Sequence, residues 1–248
     1  MTYFCAILLH KYMQKIFITI LLLLLPGIFF QFGNPTAKEH HISRTTETAR
    51  AQLCNELYHC MNLDSLVNKK AFEQAVEGYY KIGKRKKDIL TLIDFSKPST
   101  KQRLFVFDMK ARKVLFTSVV SHGKNSGENY ATSFSNENGS HKSSLGFYLT
   151  EQTYQGKNGY SLILNGLEKG INDKAKERAI VMHGAAYSNP SVIQSAGRLG
   201  RSFGCPAIPQ KLSRPIIDTI KDGSVLYIYA PKPEYLAQSS ILQDQEHV

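Results

Sequence analysis

The stretch VMHGAAYSNPSVIQSAGRLGRSFGCPAIP, residues 181–209, decides how this chain is read. Residues 179–182 are a short apolar run, expected as a strand, that leads straight into His183-Gly184. A loop rich in small residues follows, then Arg201-Ser202-Phe203-Gly204-Cys205-Pro206. After it, residues 209–221 have the pattern of an amphipathic helix, with Ile216, Ile217 and Ile220 apolar. Nucleophilic catalysis by Cys needs a thiolate, a nearby base and donors for an oxyanion. His183 at a strand end is held rigidly while it faces a cleft. Cys205 is expected just before the helical segment, whose N-terminus would favour the thiolate. Gly204 lets the backbone approach a substrate with no side chain in the way. The N–H groups of Gly204 and Cys205 are candidates for the oxyanion site. Residue types alone leave the plainer reading open, because a lone Cys is commonly a small buried residue.

Outward from this block the grammar is mostly β. Residues 104–108 and 114–120 are β-rich runs joined by a short polar link, and they predict a hairpin. Residues 145–150, 161–164 and 225–229 predict further strands, and Asn165-Gly166 reads as a hairpin turn. The N-terminal side differs. Residues 38–47 are polar and expected to be loose. Residues 48–87 are helical in pattern, with Asp64 as a cap for the second helix. Residues 96–99 read as a linker or turn. The expected organisation is an N-terminal signal or anchor over 1–37, a linker and helical segment over 38–98, a catalytic domain over 99–232 and a tail over 233–248.

The residues around Cys205 carry a resemblance to a known family. His183-Gly184, followed by Ser202-Phe203-Gly204-Cys205, resembles the signature of the L,D-transpeptidase (YkuD-like) family. Ser143-Ser144-Leu145-Gly146-Phe147-Tyr148 is similar to an upstream strand of that family. The run from Gly200 to Ala207 looks like a divergent branch, the murein L,D-transpeptidase catalytic domain family. So do Phe134-Ser135-Asn136 and Ser121-His122-Gly123. The resemblance implies a mostly β sandwich or barrel catalytic domain with flanking helices, α+β overall. It implies attack on a peptidoglycan tetrapeptide stem, release of D-Ala, a thioester on Cys205 and a 3–3 crosslink. His183 would be the general base, and Ser202 would orient it or hold the loop. Two departures stand out. Phe203 replaces a family His, and Ala207 replaces a later Arg or Asn. The stem carboxylate must then be gripped from elsewhere. Arg201 and Arg198 are the candidates, since a guanidinium holds a carboxylate with two bonds. Gly184 and His122 are further candidates for lining the substrate cleft. Two alternatives stay open: a hydrolase on the same scaffold, with water as acceptor, and a wall-binding module without catalysis.

Composition bounds the partners. The 248 residues carry a net charge of +11, which favours anionic partners. The basic residues are scattered, and the densest run, Lys84-Arg85-Lys86-Lys87, lacks an aromatic-rich binding motif, so nucleic acid is not expected. Lys11 and Lys15 precede an apolar stretch over residues 16–30, the pattern of a signal peptide. Export to the periplasm or cell envelope is therefore expected, with membrane contact only if that segment stays uncleaved. Cys54 and Cys60 lie six apart and could pair only across a break in their helix. Cys205 then remains as the odd thiol of an exported protein. His122, His141 and His183 lack metal-ligand spacing, so neither a metal nor another cofactor is expected.

Overall fold

The computed structural model describes residues 35–243, with side chains from Thr48 onward. The chain divides into two units, residues 1–47 and 48–248. Of the first unit, only backbone from Pro35 is described. It is helical rather than loose, as the opening part of α1 (Pro35–Cys60), and Pro35 suits a first helical position because its missing N–H has no intrahelical partner there. The expected signal segment lies outside the described residues. No described helix is long and apolar enough to cross a membrane.

The second unit is a mostly β structure. Its strands are β1 (Ile89–Asp94), β2 (Leu104–Asp108), β3 (Lys113–Ser118), β4 (Gly146–Gly156), β5 (Gly159–Gly166), β6 (Val181–Ala185), β7 (Ala207–Pro209) and β8 (Val225–Tyr229). They form one sheet in the order β3-β2-β1-β8-β4-β5-β6-β7. Only β1–β8 and β6–β7 run parallel. Just beyond β3, Ser121 bridges Ala207 of β7, which brings the two ends of the sheet together into a nearly closed barrel. The fold class expected from the sequence is therefore found. Five α-helices lie among the described residues: α1, α2 (Lys69–Lys81), α3 (Pro190–Ala196), α4 (Gln210–Ile220) and α5 (Pro233–Leu236).

Several local expectations are corrected. α2 stops at Lys81 and is capped by Asn68, whose side chain accepts the Ala71 N–H at 3.2 Å; Asp64 lies beside His59 instead. α2 buries Phe72, Ala75, Val76 and Tyr79. Gly78 lets it settle on Phe147, because a Cβ there would sit 2.1 Å from that ring. β1 comes from the segment expected to precede the catalytic domain, yet it lies inside the sheet between β2 and β8. Asn165-Gly166 is not a turn. Both residues pair with β4, and the hairpin turns at residues 157–158. Gly166 is needed because a Cβ would meet the Asn172 carbonyl oxygen at 1.9 Å. Cys54 and Cys60 sit on one continuous helix, one buried and one exposed, and both are free thiols.

Candidate active site

His183 sits in the middle of β6, paired with Ser161 of β5 on one side and Ala207 of β7 on the other. Two ladders fix its backbone. Its ring is buried, at 4% exposure, and Nδ1 lies 3.1 Å from the Gly184 carbonyl oxygen. With the Nδ1 proton on that carbonyl, Nε2 is left as the free acceptor. Burial pulls the His183 pKa below the usual value, and the Gly184 carbonyl only partly opposes this. The imidazole is therefore neutral at neutral pH, as a base must be.

Cys205 is also buried. Its Sγ accepts the Val181 N–H at 3.5 Å and faces the Ala179 carbonyl at 3.7 Å. The thiol thus lies at the start of the strand that carries His183. The register pairs His183 with Ala207, so Cys205 precedes the partner of His183 by two residues. Two residues of strand correspond to about 7 Å. No hydrogen bond joins the two side chains directly. Burial raises the Cys205 pKa, while the Val181 N–H and the Arg178 charge pull it down. Cys205 does not adjoin a helix N-terminus as expected. It leads into β7, and α4 begins only at Gln210. Strand N–H groups and one guanidinium replace the expected helix dipole.

The loop before Cys205 is pinned on both sides. Ser202 bridges Gly123; its N–H donates to the His122 carbonyl at 2.9 Å, and its carbonyl accepts from Lys124 at 2.8 Å. The Ser202 hydroxyl donates to the Cys205 carbonyl at 2.6 Å and accepts the Gly204 N–H at 3.0 Å. Ser202 therefore holds the loop, not the imidazole. The Gly204 N–H is spent on Ser202, whereas the Cys205 N–H faces its own sulfur. Gly204 has φ +126°, a conformation that favours glycine, and its carbonyl accepts from Ser143 Oγ at 3.1 Å.

Four residues expected to contact substrate already have partners within the chain. Gly184 faces α4, where a Cβ would meet Ser213 at 2.7 Å. Arg198 and Arg201 both grip Glu128, at 3.0 and 2.6 Å, so their guanidiniums are already matched by a carboxylate of the chain. His122 is buried, at 1% exposure. Its ring nitrogens face Arg103 at 2.8 Å and the Gly127 carbonyl at 3.2 Å. Burial and the Arg103 charge lower its pKa from 6.5 to about 4. A folded pKa below the unfolded one means that the unfolded chain binds more protons between pH 6.5 and 4. Stability should therefore fall as pH drops through that window, by about 3 kcal/mol from this residue alone. Urea unfolding of wild type and His122→Gln at pH 7 and pH 4 checks this. The variant should lose that share of the acid sensitivity, and equal sensitivity in the two proteins would show that His122 does not titrate this way.

Two residues near the thiol carry no sequence signal. Arg178, from the turns between β5 and β6, donates to the Ser135 and Lys142 carbonyls at 2.8 and 2.7 Å, and to Ser144 Oγ at 2.5 Å. Its Nη2 would lie 3.4 Å from a Cβ on Gly204. Tyr187 follows β6; burial and the Cys205 charge push its phenol up to about 12, so it stays a donor. The two departures are also explained locally. Ala207 is fully buried in the ladder between His183 and Ser121, where a long polar side chain has no space. Phe203 is 66% exposed, with the His141 ring 4.6 Å and the Lys124 ammonium 4.7 Å from its own ring. Among the described residues, no three His, Cys, Asp or Glu side chains are grouped to hold a metal ion.

The second unit is thus a nearly closed β barrel with a buried imidazole on β6 and a buried thiol in the loop that leads into β7. It belongs to the L,D-transpeptidase catalytic domain family, whose model matches residues 63–229. A comparison with curated proteins finds no match. Among solved structures, the chain is similar to an L,D-transpeptidase from Mycobacterium smegmatis, with 14% identity, a TM-score of 0.35 and 58% of this chain covered. It spans 59% of that protein's length. An L,D-transpeptidase (Yku) from Stackebrandtia nassauensis matches with 14% identity and a TM-score of 0.37, covering 72% of this chain and 76% of that one.

Proposed function

We propose that this chain is a cysteine acyltransferase that joins peptidoglycan stem peptides, with Cys205 as nucleophile and His183 as base. The observation that carries this reading is that Cys205, two residues before the His183 partner Ala207, sets its sulfur against Val181 N–H at the start of the strand that carries His183, within a domain of the transpeptidase family. His183 Nε2 takes the Cys205 proton as sulfur attacks the carbonyl at the L-centre of diaminopimelate in a tetrapeptide stem. The tetrahedral oxyanion is met by the Cys205 N–H. The C–N bond to D-Ala breaks, and the departing amine takes the proton back from His183. A thioester remains on Cys205. The amine of a neighbouring stem then attacks it, giving a proton to His183, and the thiolate leaves and is reprotonated. The product is a 3–3 crosslink. Arg178 supports the thiolate by charge and holds the wall of the site through its four acceptors.

The substrate places this reaction on the outer side of the cytoplasmic membrane, consistent with the signal-like apolar segment over residues 16–30. The test is mass spectrometry of the purified protein incubated with disaccharide tetrapeptide. The expected product is a dimer of two stems with loss of D-Ala. Tripeptide alone would assign water as the acceptor and make the protein a carboxypeptidase. Unchanged substrate would overturn the enzymatic reading in favour of a wall-binding module.

A further inference from the structure

A cleft of about 320 Å³ lies outside the proposed catalytic site, between residues 132–136, the turn at Gly170-Ile171 and the C-terminal residues Lys232–Gln238. Its size is at the lower end for small-ligand sites, which suits an amino acid or a dipeptide. Phe134 and Tyr235 line it, and both are held from outside. Phe134 stacks on Phe95 at 6.2 Å, and the Tyr235 hydroxyl donates to the buried Glu168 carboxylate at 3.1 Å. Two charged residues of opposite sign, Lys232 and Glu234, also line the cleft. Neither side chain has a hydrogen bond or an ion pair among the described residues.

We propose that this cleft binds a small zwitterion carrying one free ammonium and one free carboxylate, of amino-acid to dipeptide size. A ligand with a single charge would meet a like charge at Lys232 or Glu234 and would leave the other unmatched. A ligand with both charges matches each residue. The cleft shares one neighbour, Arg178, with the loop before the thiol. The Ser135 carbonyl, in its wall, accepts from Arg178, and the other nitrogen of that guanidinium touches the space beside Gly204. A free amino acid and the unblocked end of a stem peptide share the required chemistry. The inference goes beyond the acyl-transfer reading and does not depend on turnover.

Isothermal titration of the purified wild-type chain tests it, with D-alanine, N-acetyl-D-alanine, D-alaninamide and the stem tripeptide as probes. D-alanine should bind in the millimolar range, and the acetylated and amidated forms at least about tenfold more weakly, because each loses one matched charge. Lys232→Gln and Glu234→Gln should each weaken D-alanine by about tenfold with no change in melting temperature, since both residues lie at the surface. Tighter binding of the tripeptide than of D-alanine would name a stem end as the occupant, and the reverse order would name a free amino acid. Equal binding of the charged and blocked forms would overturn the proposal. So would binding that survives both substitutions, or no heat from any probe at about 50 mM.

Discussion

Cys205→Ala should leave a folded protein with no detectable crosslinking and no mass increase from a thioester on the intact chain. The loss in turnover should exceed about 10⁴-fold, the scale seen when a nucleophile is removed and only binding and oxyanion contacts remain. The fold should survive because the sulfur makes only two weak polar contacts, to Val181 N–H and Ala179 carbonyl. Truncation removes one small buried atom, which costs about 1 kcal/mol, and with it the weak Val181 N–H contact but no bond between backbone groups. The backbone around it is held by others, through Ser202 to the Cys205 carbonyl and through Ser143 to the Gly204 carbonyl. Melting temperature and intact-protein mass after incubation with tetrapeptide are the measurements. Turnover retained in a folded Cys205→Ala protein would sink the acyl-enzyme reading outright.

The site was legible in part because its chemistry is local in sequence. The apolar run into His183-Gly184 marks a strand without tertiary information, although β6 starts at Val181 and runs on through His183 to Ala185 rather than ending there, and Gly204-Cys205-Pro206 stands out by composition. Other features arise only on folding. β1 has five of its six residues buried, covered on both faces, so it shows no alternation to mark it as a strand. β7 is three residues long and exists because β6 pairs with it. Asn165-Gly166 misleads because its Gly serves a close approach to Asn172 rather than a turn. Arg178 and Tyr187 feel the charge of Cys205 from a turn and a short 3-10 helix that carry no motif. Arg198 and Arg201 looked free in sequence, and only the structure shows Glu128 between them. The departures at Phe203 and Ala207 then take on physical sense. The Ala207 position is sealed inside the ladder, and the cation closest in effect to Cys205 is supplied by Arg178 across the loop.

His183→Ala should lower kcat/KM by about 10²–10⁴-fold, the usual worth of a positioned base. The particular form of the loss follows from the two pKa directions. Burial raises the Cys205 thiol above its ordinary value and lowers His183 below its own. A thiol with a raised pKa does not ionise ahead of attack near neutral pH. An imidazole with a lowered pKa is already neutral there and ready to accept. The proton must therefore move to His183 during attack, rather than rest on it beforehand as in a preformed thiolate–imidazolium pair. The sign is checkable. With its pKa depressed, His183 gains a proton only below the usual histidine range, so the acid limb of kcat/KM should fall below pH 6.5. Alkylation of Cys205 by iodoacetamide, which uses no base, should instead climb through neutral pH and level off only above pH 9. In His183→Ala the alkylation profile should stay close to wild type while turnover collapses. A plateau of alkylation at pH 6–7 in wild type, lost in His183→Ala, would mean that the ion pair forms before substrate arrives. In that case, the field around Cys205 would have to overcome its burial, and the added charge could only come from a closer approach of His183 or Arg178 than this structure holds.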